Sequence, residues 1–560
     1  MARSGKGDRS GGAADMFTIM DQMLETLRRS LRERALEPEL IDQILDAVRG
    51  DEAARITAAE ALDQMAKRAA ADADRSLRDI SPESLCHWAA VVMPALNGSG
   101  YREFLVSLGL ERFLWVVGAG ASGVSGASSS VAALTTFFAA CAQWATAQTT
   151  ERLVRVPEPE VFAIAFTEED GESTRRFTAY LAQFGWISRS ICLAVARAVA
   201  ELRLGSLVPH LTVESVEQAA DLSSFDWYEP GGLGDESSLQ RALSIRTGEY
   251  SSRSFLELVQ AREMELFPFI QVGSKVLPVA ERVIRIAFEQ PVLEYVKRCV
   301  DNEQRGAVFE RACEIVLNEA IDLEPPVPGT VAAVRVSARD EGEIDFLVEG
   351  NAHEPLVIGE AKAYFTASAA SAAYNAFTAE VGKAHLQLER RLEAVAEGGV
   401  VSGVEHAGDR RRPTIGLGVP MHSYGGAIWR GPLWRHEISE ISSDLAVIPV
   451  HQAVLVFSLM TDLTQLADYF RFRAEFFCLP VPVVMDEADL LVLYLSGQGD
   501  DALRRARVLG RKDAVHIPPH APDLAFAIAE RPEDRSEWRR MFFEGMNKTD
   551  ALALLGARRL

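Results

Sequence analysis

The sequence predicts a mixed α/β protein. Its expected core is a mixed β-sheet flanked by helices, with a largely α-helical N-terminal half and a C-terminal α/β extension. Three observations carry this expectation. Apolar residues recur at helical spacing through the N-terminal part. From about 306 the pattern runs helix, three short apolar runs of strand character, helix, strand. The composition, 48% hydrophobic and 25% charged, is that of a chain that buries a sizeable core.

The chain has 560 residues, more than one compact core normally uses. Expected divisions are a helical region over 1–80 with its first fifteen or so residues disordered, a mostly helical domain over 81–220, linker-like residues 221–250, a further domain over 251–480 and an extension over 481–560. Asp15 suits the N-cap of a first helix with Met16, Met20, Met23, Leu24, Leu27 and Leu31 on one stripe. A second helix follows Pro38 and stops at Gly50, and a third covers about 53–76. These helices are an expected surface for a protein partner or a second copy, with a plain packed bundle as the alternative.

In 80–205, "RFLWVVG" and "VFAIAFT" have the composition of strands. The stretch 221–238, "DLSSFDWYEPGGLGDESS", combines turn residues and acids without periodicity and predicts a linker. From Phe255 to Cys299 the patterns are helical, punctuated at Pro268, Pro278 and Pro291. The helix "GAVFERACEIVLNEA" places Phe309, Ala312, Cys313, Val316, Leu317 and Ala320 on one face. Strands follow at "VAAVRVS", "EIDFLV" and "LVIGEAK". A helix over 376–396 turns Phe377, Val381, Ala384, Leu388, Leu392 and Val395 inward, and "TIGLGV" and "AVLVFSL" are two further strands.

A net charge of −22 excludes a protein that coats nucleic acid nonspecifically, while leaving room for a local basic cleft. The six cysteines are far apart, the nearest pair being Cys299 and Cys313, and form no CxxC or Cys/His pattern for zinc. With no signal peptide evident, a reducing cytoplasm is expected. Between Arg112 and Glu151 no charged residue occurs, but the Gly/Ser-rich first half favours a buried helix over a membrane span.

Residues two apart on a strand share a face, so Glu343 goes with Asp345 and Glu360 with Lys362. If "EIDFLV" and "LVIGEAK" pair as a hairpin, Asp345, Glu360 and Lys362 converge at one sheet end. Two adjacent carboxylates are costly without a cation, which makes Asp345 and Glu360 ligands suited to Mg²⁺, or to Mn²⁺ in its place. A lysine beside that ion can orient or help deprotonate water and offset charge on a phosphodiester. The alternative is a salt-bridged strand end at a solvated edge.

Asp345, a gap, then Glu360-Ala361-Lys362 on consecutive apolar strands resembles the PD-(D/E)xK nuclease superfamily, with its restriction-endonuclease-like fold, over about 300–460. The resemblance implies that Glu310 is the acid of the preceding helix and a candidate further ligand, and that Gln387 is the glutamine of the following helix. Glu343 stands near the place of the family's proline, which is absent, and is another candidate ligand. The implied activity is Mg²⁺-dependent hydrolysis of DNA by an endonuclease, in restriction-like or antiphage defence, with the N-terminal half recognising, regulating or oligomerising. A noncatalytic DNA-binding or assembly protein retaining the fold is the alternative. Lys383, one turn before Gln387, and three basic clusters are the candidate DNA contacts: Arg410, Arg411 and Arg412; Arg430 and Arg435 between tryptophans; and Arg504, Arg505 and Arg507. A solvated surface face is the other reading of each cluster.

"LWVVGAGASGVSGASSS" has the strand, glycine loop and helix order that receives phosphates. Gly118, Gly120 and Ser122, with Ser125 and Gly126, resemble the opening loop of sirtuin-like NAD-binding domains, which implies a nucleotide- or NAD-sensing or NAD-consuming alternative. The later segments of that family find no match.

Overall fold

The computed structural model describes residues 52–81, 110–155, 187–220, 238–321, 330–335, 343–363, 378–397, 412–421 and 442–495, with short breaks, and isolated residues as far as 516. The first two expected helices, "VFAIAFT" and the 221–237 linker lie outside the described residues. The chain divides into two compact units, one formed by 1–170 and 221–284, the other by 171–220 and 285–560. Neither follows the contiguous divisions anticipated from sequence.

The first unit is built on α1 (Glu52–Asp79), α2 (Leu110–Gly120) and α3 (Ala127–Arg155). Ala58, Ala59, Leu62 and Ala66 of α1 pack with Ala147 of α3, small residues that let the helices approach closely. Further along, Ala70, Ala73 and Leu77 meet Phe113, Leu114, Trp115, Val116 and Val117. "RFLWVVG" is therefore helix, not strand. Its apolar run is buried on all sides, so no polar face marks the helical period. Trp115 Nε1 donates to the Phe267 carbonyl at 2.9 Å.

After the turn of helix α6 (Ser238–Ala242), a three-stranded sheet forms from β1 (Ser244–Arg246), β2 (Phe269–Val272) and β3 (Lys275–Pro278). Here α4 is 187–201 and α5 is Val213–Ala220, both in the second unit. Strands β2 and β3 replace helix expected between Pro268 and Pro278. The β-rich runs "FIQV" and "KVLP" are joined through Gly273, whose φ of +62° suits glycine in a tight turn. The helices α7 (Phe255–Gln260) and α8 (Glu263–Leu266) precede them, α7 opening on a Ser254/Glu257 capping box. No helix among the described residues is long and apolar enough to cross a membrane.

The second unit contains α9 (Glu289–Cys299), α10 (Asn302–Ile321), β4 (Thr330–Arg335), β5 (Glu343–Glu349) and β6 (Leu356–Lys362). A π-helical turn (Thr378–Gly382) then leads into α11 (Lys383–Ala396), followed by β7 (Thr414–Pro420) and β8 (Leu445–Val447). The five strands lie in the order β4-β5-β6-β7-β8, antiparallel from β4 to β6 and parallel from β6 to β8. Helix α10 packs on β4, β5 and β6, and α11 on β6, β7 and β8. All six α10 residues expected inward are buried, as are Val381, Ala384, Leu388 and Val395.

Correction is needed at "AVLVFSL", which is helix α12 (Val450–Leu459) entered from Pro449. Every residue of α12 is buried, so its sequence lacks the polar stripe that separates helix from strand. Helices α13 (Leu463–Phe477) and α14 (Glu487–Leu495), with the strand pair β9 (Pro482–Val483) and β10 (Val515–His516), belong to the same unit. "DEADLLVLYLSG" thus joins this unit through α14, which packs on α12 and α13. Tyr469 Oη and Arg473 Nε donate to Glu487 Oε1 at 2.6 and 2.8 Å.

Candidate functional site

Strands β5 and β6 do pair as an antiparallel hairpin, with Phe346 opposite Gly359, Leu347 opposite Ile358 and Val348 opposite Val357. Continued by one residue, that register sets Asp345 level with Glu360. Beyond the pairing, Asp345 Oδ2 accepts from the Ala361 backbone N–H at 2.8 Å, so the carboxylate reaches across to the neighbouring strand. The two acids anticipated as partners stand on adjoining strand ends.

Glu360 is 1% exposed. Its Oε1 is paired with Lys362 Nζ and its Oε2 with Arg391 Nη1. The salt-bridged strand end anticipated as an alternative is therefore present, but it is a buried one and not a solvated edge. Arg391 arrives there because α11 sits close on the sheet. In parallel register Glu360 lies beside Gly418, where a Cβ would come within 3.2 Å of Ala384 Cβ. Two turns beyond Ala384, Arg391 lies over β6.

Burial lowers the Lys362 amine below the usual lysine range, while Asp345 and Glu310 pull it back up. The same two acids act on Cys313, whose thiol is raised well above its ordinary value mainly by burial. Glu310 thus shares the electrostatic neighbourhood of Lys362 and Asp345. A Cβ on Gly306 would lie 3.6 Å from its Oε1, one turn earlier on α10. Gln387 is on α11 one turn before Arg391, and its Oε1 is buried with no hydrogen-bond partner among the described residues. His385 is also buried, which pushes its imidazole down to about 4 and keeps it neutral near pH 7.

Hard oxygen donors at Asp345 and Glu360, and the demand of buried Glu360 for positive charge, fit a Mg²⁺-like ion in chemical type. The arrangement is the cation-paired one, since both Glu360 oxygens face Lys362 and Arg391. Among the described residues no three His, Cys, Asp or Glu side chains gather as a metal cluster. Glu343 starts β5, with its side chain outside the described ones.

The expected DNA contacts fare differently from one another. Arg412 is corrected to a structural residue: it is buried, with Nε donating to the Glu354 carbonyl at 2.7 Å and Nη2 to the Asn351 carbonyl at 3.2 Å. Its Nη1 pairs with Glu349 at 3.0 Å, so the guanidinium ties the turn between β5 and β6. Lys383 and Arg504 are exposed. Arg410, Arg411, Arg430, Arg435, Arg505 and Arg507 lie outside the described residues.

The glycine-rich stretch also needs correction. Gly118 and Gly120 lie in α2, so no strand leads into the loop. The amides of Ala121, Ser122 and Gly123 donate to the carbonyls of Val117, Leu77 and Ile80 at 2.9, 3.3 and 2.8 Å. Those donors are committed to backbone and not offered to a phosphate. Ser122 is exposed.

Arg391 is the partner of Glu360 that sequence reasoning missed. Its signal was present in "LQLERRLEAV": Arg391 follows Gln387 by four positions and so shares its helix side. Comparison with family models, with curated proteins and with solved structures gives no match for this chain.

Proposed function

We propose that the second unit carries a metal-dependent endonuclease site that hydrolyses DNA phosphodiester bonds. One observation carries the reading. Asp345 and Glu360 stand on adjoining strand ends, with Lys362 bound to one acid and under the influence of the other and of Glu310. The order helix, three antiparallel strands, helix, parallel strand supports a restriction-endonuclease-like core.

Asp345 and Glu360 would hold the cation, with Glu310 and Glu343 as the nearest further acids. When bound, a divalent ion of this kind supplies Lewis-acid polarisation of the phosphate and a lower pKa for water. Lys362 holds its proton less tightly than an ordinary lysine, which suits it to orient and deprotonate an attacking water and then to face the growing phosphate charge. Gln387, one turn from Arg391 and with a buried acceptor oxygen, would orient water or substrate.

Lys383 and Arg504, both exposed, remain the described candidates for phosphate contact. The first unit would serve recognition, regulation or oligomerisation, and a role in restriction-like or antiphage defence follows the sequence resemblance alone. Free Cys141, Cys192, Cys299 and Cys313 support a reducing compartment, which we take as the cytoplasm.

Supercoiled plasmid incubated with the full chain and Mg²⁺ or Mn²⁺ tests the reading. Nicking is expected from the native protein and a loss of about 10³-fold or more from Asp345→Ala and Lys362→Ala. Undiminished cleavage by Lys362→Ala would place the chemistry elsewhere. Absence of nicking by the native protein on any DNA form, with either metal, favours the noncatalytic DNA-binding alternative.

A further inference from the structure

We infer that Arg391 is a latch on the metal site, a positioning residue that occupies Glu360 and competes with a divalent cation for that carboxylate. The inference rests on the metal-dependent reading of the site. Arg391 is 8% exposed and belongs to α11, a helix seated on β6, so its guanidinium is held at the strand end by the fold and not by chance at a surface.

The contact at Glu360 is the central point. Glu360 carries one negative charge at 1% exposure, and its two oxygens face two cations, Lys362 and Arg391. Lys362 has other acids acting on it, Asp345 and Glu310, which support its charge independently of Glu360. Arg391 is the second cation on the same carboxylate. A divalent ion bound by Glu360 would meet the guanidinium at contact distance in a dry environment, where like charges repel strongly. Metal and guanidinium exclude each other at Oε2.

The fold also supplies a place for the released guanidinium. Gln387 lies one turn earlier on the same helix side, and its buried Oε1 has no hydrogen-bond partner among the described residues. An arginine four residues along can donate to that oxygen, so a small rotation about the Arg391 side chain exchanges a carboxylate partner for an amide one. No covalent step is involved, only the transfer of a carboxylate from one cation to another.

Titration of the full chain with MnCl₂ alone, by calorimetry and without DNA, tests the latch. The forms compared are native, Arg391→Met, Arg391→Gln and Glu360→Gln, each with its unfolding midpoint measured in the absence of metal. Arg391→Met is expected to bind Mn²⁺ at least about tenfold more tightly than native protein, because the competitor is gone. Arg391→Gln keeps a neutral hydrogen bond to Glu360 and serves if the methionine variant does not fold, with the same direction expected. Glu360→Gln should weaken binding at least about tenfold.

Equal or weaker Mn²⁺ affinity in a folded Arg391 variant means the arginine only props Glu360, and the latch is rejected. Nicking of plasmid by the native protein in that case leaves the nuclease reading standing. If no form binds Mn²⁺ and none nicks DNA, the latch and the reading fall together.

Discussion

Two buried carboxylates in the second unit, Glu360 and Glu487, are each paired with a buried arginine, yet their surroundings differ. Glu487 meets one cation, Arg473, plus the neutral Tyr469 hydroxyl; the same arginine donates to the Val447 carbonyl at 3.0 Å. These partners belong to α13, α14 and β8. Glu360 meets two cations, one of them the 23%-exposed Lys362 side chain, and further acids stand nearby. The first arrangement binds secondary-structure elements together. The second sets two cations on one carboxylate, which is the condition for exchanging a partner. A buried ion pair by itself thus says little; the number of cations on the carboxylate is what distinguishes the two arrangements.

The comparison can be broken at several points. Replacing Arg473 with Met strands the Glu487 carboxylate in the core, and a loss of about 3–5 kcal/mol in unfolding free energy is expected from denaturant titration. Mn²⁺ affinity of the protein that remains folded should be unchanged. A rise in affinity like that expected for Arg391→Met would erase the distinction between the two arginines.

Acid should reveal the next contribution, at His385 of α11. The His385 imidazole titrates at about 4 when folded, against an unfolded value near 6.5. Between those values the unfolded chain binds the extra proton. Stability from this group is therefore full above about pH 6.5 and lost as pH falls toward 4, a loss of about 2–3 kcal/mol. His385→Leu should flatten that part of the stability profile. An identical acid slope in the variant would show that the imidazole is not the group responsible.

A smaller effect should come from Arg412, the cation reassigned from DNA contact to the hairpin turn. Its loss leaves the Glu354 and Asn351 carbonyls short of a donor, and Arg412→Met is expected to cost about 1–3 kcal/mol. The salt dependence of DNA binding should keep its slope, because a buried guanidinium releases no counterions. A reduction of that slope by about one unit would return Arg412 to the DNA-binding set.

Much of the second unit was legible in advance because its elements are amphipathic. Helix α10 buries one face and keeps charges on the other, and "EIDFLV" and "LVIGEAK" end in charges that mark the limits of their apolar runs. Where that contrast vanished, prediction failed. Helices α2 and α12 are buried on all sides, so their apolar residues carry no helical period and imitate strands. The strands β2 and β3 were hidden by prolines at their ends. The same limit applies at the site. Asp345, Glu360 and Lys362 could be chosen from strand spacing, whereas Arg391 and Arg412 were one arginine among many until packing buried them.

By itself, then, the sequence determined which residues alternate, which recur at helical spacing, and where charges interrupt an apolar strand, all of which are local properties of the chain. Tertiary structure alone decided which cations meet which acids. Glycines at β7 let α11 come down on the sheet and bring Arg391 to Glu360, and the β5–β6 turn captured Arg412 through backbone carbonyls. Those pairings join residues as far apart as Glu354 and Arg412, and the energy of a charge depends on the dielectric and the neighbours that folding gives it.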